Sequence, residues 1–266
     1  MEEIEGVDRK EFDEIMDAGK RYGQLVAIAG ARSTRKASAL FGDEFQPIVQ
    51  SFDAAFSYAR QLKYSGNITD PGSLAHRNLY ICSFIAGTQL TRIAILGGYN
   101  MRAAALIRQE FEIASRVRQF RRNEVKVKPC GGFDGRKVAP PTTLDSRLGR
   151  LYGKLSEHAH ASTLESITSL GADIHIREGA ASVAVPLIEP RFKAWVARDH
   201  MLVHLLLCCS ICEELAEFAN NTGEFDLARA IVKAGMVGGT YLLRLQDRIG
   251  EGDPGSTVSE DSDGSG

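Results

Sequence analysis

Apolar positions recur at three- and four-residue spacings along most of this 266-residue chain. That is the period of an α-helix buried on one side. Residues 8 to about 31 read as a first amphipathic helix, followed by a basic link, Arg32-Ser-Thr-Arg-Lys36. Residues 43–64 read as a second, with Phe45, Ile48, Val49, Phe52, Phe56 and Ala59 at helical spacing. The run 65–72, Ser-Gly-Asn-Ile-Thr-Asp-Pro-Gly, is a break. Ser73 then caps a third helix that runs to Leu96 and stops at Gly97-Gly98.

Residues 100–122 predict a fourth helix that is apolar on two sides. Leu106, Ile113, Val117 and Phe120 form one stripe. Met101, Ala104, Ala105 and Phe111 form the other, and Arg108 and Glu112 fall on that second face. A helix apolar on both sides is usually buried on both, so this Arg–Glu pair is expected to be partly desolvated. Residues 125–143, rich in Gly and Pro, predict a long loop that is functional or mobile. A fifth helix follows from 144 to about 170.

Asp173-Ile-His-Ile-Arg177 and Ser182-Val-Ala-Val185 alternate with period two around Glu178-Gly179-Ala180, a β-hairpin pattern. Pro186 and Pro190 separate it from a core helix over 191–220. The last helix, 225–249, carries Leu227, Ile231, Ala234, Tyr241, Leu245 and Ile249 as a near-heptad stripe. Its Gly235 and Gly239, four apart, would let a neighbouring helix come close, so this helix is a candidate homodimer face. The expected fold is mostly α: a single bundle of about seven helices over residues 1–250. A small β-hairpin is inserted at about 172–186, and 251–266 form a disordered acidic tail.

Charge changes this picture little. The chain carries −2 formally, but the tail holds Glu251, Asp253, Glu260, Asp261 and Asp263 and no base, leaving the rest near +3. That is too weak for a dedicated duplex-DNA binder. Five cysteines, three crowded at Cys208, Cys209 and Cys212, argue against a secreted disulfide framework and for a reducing cytoplasm. The acidic start shows no secretory signal. The apolar run from Met201 to Cys212 is too short to span a bilayer, so no membrane association is expected.

Candidate chemistry concentrates in Tyr152-Gly-Lys-Leu-Ser-Glu-His-Ala-His160. On a helix Tyr152, Leu155, Ser156 and Ala159 share a face, and His160 lies one turn beyond Ser156. A Ser–His pair at i, i+4 is the minimum for an activated nucleophile, but no nucleophile elbow accompanies it. The same residues suit a buried hydrogen-bond network. Glu157 and His160 form one Glu-x-x-His unit, and a di-iron bundle needs two. His200, His204, Cys208 and Cys212 lie on one helix face; they read as core packing, and no metal or cofactor is expected. The basic run Arg116, Arg118, Arg121, Arg122, Lys126 and Lys128 suits a helix C-terminus or, with Phe120 among the bases, an RNA contact.

Arg198-Asp-His-Met-Leu-Val-His204 resembles the Arg-to-His motif of HEPN-type helical nucleases, carried by Arg198, Asp199 and His204. The resemblance implies a helical bundle that often dimerises, with Arg198 and His204 catalysing metal-independent RNA cleavage. Residues 103–112 together with 152–160 are also similar to a group of uncharacterised bacterial helical proteins. Their pattern is Leu-Arg-x-x-x-Glu followed by Tyr-x-x-Leu-Ser-x-x-x-His. Here Ile107 replaces the Leu, and Arg108, Glu112, Tyr152, Leu155, Ser156 and His160 match. That likeness implies a polar binding cluster of Arg108, Glu112, Tyr152, Ser156 and His160, and no established activity. The expectation is a soluble, cytoplasmic bacterial protein that binds or acts on RNA in a defence or stress setting. The competing expectation is a non-catalytic, homo-oligomeric interaction protein whose polar cluster is structural.

Overall fold

The computed structural model describes residues 9–62, 71–122, 152–153, 155–156, 173–177, 180–184, 190 and 192–251. These residues are mostly helical. Six helices carry the fold: α1 (Arg9–Phe41), α2 (Phe45–Tyr58), α3 (Pro71–Leu96), α4 (Asn100–Arg121), α5 (Ala194–Asn221) and α6 (Phe225–Glu251). Tyr152, Gly153, Leu155 and Ser156 are helical too. The long loop expected at 125–143 lies outside the described residues, as do residues 252–266 of the expected tail. The chain divides into two compact units, one of Met1–Leu40 with Asp70–His204, the other of Phe41–Thr69 with Leu205–Gly266.

In the first unit α3 packs along α4. Pro71 opens α3, where its missing N–H costs nothing. The glycine stop behaves as the sequence implied: Gly98 takes φ 77°, and the Tyr99 amide closes back onto the Ala94 carbonyl at 2.9 Å. Gly97 has its own constraint, because a Cβ there would lie 2.9 Å from the Tyr99 ring. The core joins Ile81, Phe84 and Ile95 of α3 to Ile107, Phe111, Val117 and Phe120 of α4. Val196, Ala197, Met201 and Val203 add the start of α5.

The stretch 32–36 is not a link. Helix α1 runs through it without a break. Arg, Ser, Thr and Lys have no feature that stops a helix. Ser33 and Ala37 are buried one turn apart, and Thr34 turns its hydroxyl back onto the Gly30 carbonyl at 3.0 Å. Charge alone therefore marked a boundary that packing does not respect.

α3 also differs from expectation in its outer face. Its stretch Leu74–Leu96 is long and apolar enough, by length and composition, to cross a bilayer, yet 39% of it is buried within the protein. Leu79, Leu90 and Ile93 remain exposed on α3.

In the second unit α2 packs along α6. Ile48, Phe52, Ala55 and Phe56 form the inner face of α2. The helix ends earlier than the pattern implied, tightening into a 3₁₀ turn at Ala59–Gln61. The buried face of α6 is Ala228, Ile231, Gly238, Leu242 and Leu245, so the sequence stripe holds at Ile231 and Leu245, while Leu227, Ala234 and Tyr241 are only half-buried. Between α5 and α6, Gly223 takes φ 82° and lets the Glu224 amide reach the Ala219 carbonyl at 2.9 Å.

Three glycines on α6 serve different neighbours. A Cβ at Gly235 would stand 3.3 Å from the Cβ of Cys212, and one at Gly238 would stand 3.0 Å from the Phe52 ring. A Cβ at Gly239 would meet nothing within 4 Å. Gly238→Val is therefore expected to push against a fully packed phenyl ring and to cost about 1–3 kcal/mol. Denaturant unfolding should show it as a lowered midpoint, with Gly19→Ala, where a Cβ would meet nothing within 4 Å, as the control that shows no comparable loss.

Candidate functional site

The most buried charged group of α4 is Glu110, at 3% exposure. Its carboxylate receives two neighbours from two other helices. The Thr91 hydroxyl of α3 donates to Oε1 at 2.7 Å. His204 of α5 brings Nδ1 to 2.8 Å from Oε2. An ionised carboxylate can only accept, so with Glu110 ionised the proton of this contact sits on Nδ1. Each oxygen thus has a partner, and the imidazole is 0% exposed. A buried carboxylate is tolerated only under such saturation.

A second cluster lies on the neighbouring face of α4. The Tyr152 hydroxyl donates to Glu112 Oε1 at 2.8 Å. Arg108 Nε donates to the same Oε1 at 3.2 Å and to the Tyr152 oxygen at 3.3 Å. Arg108 and Glu112 are half-buried, with side chains 27% and 40% exposed. The Phe111 ring meets Tyr152 edge-on at 6.0 Å, and the guanidinium lies 5.7 Å from the tyrosine ring centre. The hydrogen bond to Tyr152 is the main influence raising the Arg108 guanidinium above its ordinary value, with Glu112 adding to it. The three groups saturate one carboxylate oxygen among themselves, which fixes the segment around residue 152 to α4.

The expected site residues thus fall into two places. Arg108, Glu112 and Tyr152 meet as the sequence implied. Ser156 is half-buried one turn on from Tyr152, and His160 lies outside the described residues. Arg198 and His204 share α5 but not a surface. Arg198 is half-exposed and pairs with its neighbour Asp199 at 3.0 Å, whereas His204 faces Glu110 inside.

The basic run is also divided. Arg116 is 6% exposed and donates to Gln119 at 3.1 Å. Arg118 is half-buried, Arg121 and Arg122 are exposed, and Lys126 and Lys128 lie outside the described residues. Phe120 is buried beside the Tyr80 and His76 rings, at 5.8 and 6.1 Å, so its own ring is not open for a base to stack on.

Sequence reasoning missed Glu110 and Thr91. Glu110 stands between Arg108 and Glu112 in a polar run, and nothing in that run marks the middle carboxylate as the buried one. The available signal was positional: Glu110 follows Ala103 and Ile107 at helical spacing on the most apolar line of α4. The stripe His200, His204, Cys208 and Cys212 does stand on α5, and all four are buried. Among the described residues no group of three or more His, Cys, Asp or Glu is placed to hold a metal ion. Burial pushes the Cys209 thiol up to about 11, helped by Glu213, and raises Cys212 further, with Cys209 and Glu213 adding to burial.

His204→Ala is expected to leave the Glu110 carboxylate buried with half its partners and to cost about 3–5 kcal/mol in denaturant unfolding. Removing Glu110 as well should cost less than the two single losses added together. Tyr152→Phe is expected to cost about 0.5–1.5 kcal/mol. At neutral pH a small thiol reagent mapped by peptide mass spectrometry should label exposed Cys82 well before Cys208, Cys209 or Cys212, with denaturant abolishing the difference.

No family model, no curated protein and no solved structure matches this chain.

Proposed function

We propose that this is a non-catalytic helical protein that works by self-association, its polar clusters serving to hold helices in register. The observation that carries this reading is the sealed His204–Glu110 pair: the histidine that matches the nuclease-like motif is 0% exposed and already paired with a buried carboxylate. A general acid or base must come within hydrogen-bond reach of its substrate. Nδ1 of His204 is held by Glu110, and a ring sealed from solvent gives Nε2 no route to a substrate.

Exposed apolar side chains support the interaction reading. On α1 they are Ile15, Met16, Tyr22, Leu25 and Ile28; on α6 they are Phe225, Val232, Met236, Val237 and Leu243. Clustered exposure of this kind marks interaction faces rather than ordinary surface. The finer architecture in this proposal is one bundle of about seven helices, counting the segment around Tyr152, in a soluble, cytoplasmic protein. The hairpin near 172–186 is an insertion, a reading supported by the antiparallel register of residues 173–177 against 180–184.

The experiment that separates this from a metal-independent ribonuclease uses the purified full chain with chelator present. The expected outcome is no cleavage of RNA and a sedimenting species larger than a 29.0 kDa monomer. Cleavage that disappears in a folded Arg198→Ala variant would instead establish the nuclease reading.

A further inference from the structure

Helix α6 has two faces, and only one is covered. Opposite the buried line of Ala228, Ile231, Leu242 and Leu245, the residues Phe225, Val232, Met236 and Leu243 recur at helical spacing as an exposed apolar stripe. Met236 is 68% exposed and Leu243 62%. An open cleft of about 480 Å³ runs along this stripe, walled by Arg229, Lys233, Val237 and Thr240, with Asn220 of α5 at its edge. Gly239 adjoins the stripe and faces open space, so a second backbone can come close there.

An exposed base and an exposed acid stand at mirror positions about Thr240; Arg244, on the acid's side, lies over its own Tyr241 ring. Lys233 lies seven residues before it and Asp247 seven after, both exposed. Arg229 lies one turn before Lys233. Arg229 is engaged with its own Asp226 across one helical turn. A helix of this pattern is complementary to itself only when reversed. Turned about a two-fold axis at Thr240, a second copy brings its Asp247 level with Lys233 and its Lys233 level with Asp247. The same operation brings its Leu243 level with Val237, inside the cleft.

We infer that α6 docks antiparallel on α6 of a second copy of this chain, with Thr240 at the two-fold axis, Leu243 seated in the partner's cleft, and Lys233–Asp247 pairs on both sides. The inference rests on the self-association reading and names the face that carries it. Antiparallel pairing follows from the charges, because a parallel pair would set Lys233 against Lys233 and Asp247 against Asp247. Each substitution in a two-fold interface acts twice, so charge changes have a doubled effect.

The test is sedimentation equilibrium of the full chain across the micromolar range. The unaltered chain is expected to dimerise. Lys233→Asp and Asp247→Lys should each weaken dimerisation by roughly tenfold or more, since each replaces two attractive pairs by two repulsive ones. The double variant, which restores opposite charges across the axis, should recover the dimer. Both positions are exposed, so circular dichroism spectra should keep their helical shape, with melts falling only by the stabilisation that the lost dimer supplied. A chain that is monomeric throughout overturns both this inference and the self-association reading. A dimer indifferent to all three variants, or one dissolved by Leu25→Asp on α1 and not by Lys233→Asp, overturns this interface alone.

Discussion

One buried carboxylate sets the terms for the first unit. Glu110 stands on α4 where an apolar residue would be the simpler choice, and it is accepted only because Thr91 and His204 reach it from α3 and α5. A hydrophobic contact tolerates small slides and rotations. A carboxylate with one hydroxyl on one oxygen and one imidazole on the other does not, because each bond fails over a fraction of an ångström. The three helices are therefore fixed in both register and rotation by a single group. Whether such a pair adds net stability over a well-packed apolar trio is a separate matter, and buried ion pairs commonly do not. What Glu110 supplies is uniqueness of packing. The Arg108–Glu112–Tyr152 cluster repeats the device near the surface, where water shares the load and each bond is worth less.

Much of this was legible in the sequence. Six helices stand close to where apolar periodicity put them, because a period of three to four residues has one simple physical solution. The Arg108–Glu112 pair was readable from its spacing, and the approach of Tyr152 was implied only by the two motifs occurring together. What escaped was rotation and partner choice. The run from Arg108 to Glu112 holds two carboxylates, and only tertiary packing decides that one meets a buried histidine and the other a tyrosine. The basic stretch at 32–36 misled for a related reason: charged residues mark solvent, not helix ends, and α1 continues past them with Ser33 and Ala37 turned inward. The same limit applied to α6, whose inner face could not be told from its outer face when both carry apolar residues.

The glycines show how such ambiguity is resolved in space. Gly235, Gly238 and Gly239 lie within about one turn of α6, and the sequence offered the first and last as a single small-residue seam. In the folded chain Gly235 admits Cys212 and Gly238 admits the Phe52 ring, while Gly239 is left facing outward. Small residues at four-residue spacing are thus compatible with contacts in different directions, and only the angular position of each around the helix says which neighbour it serves.

The sequence distances behind the Glu110 contacts bear on the order in which the chain assembles. Thr91 is 19 residues away and reachable as soon as α3 and α4 form a helical hairpin. His204 is 94 residues away and arrives only when the chain closes a far larger loop. Until then Glu110 Oε2 lacks its α5 partner and keeps water in the seam, while Oε1 is met by Thr91. The hairpin can form early but cannot dry out early. Its final consolidation waits for α5, so a polar group that looks like a flaw in the core acts as a latch against premature closure.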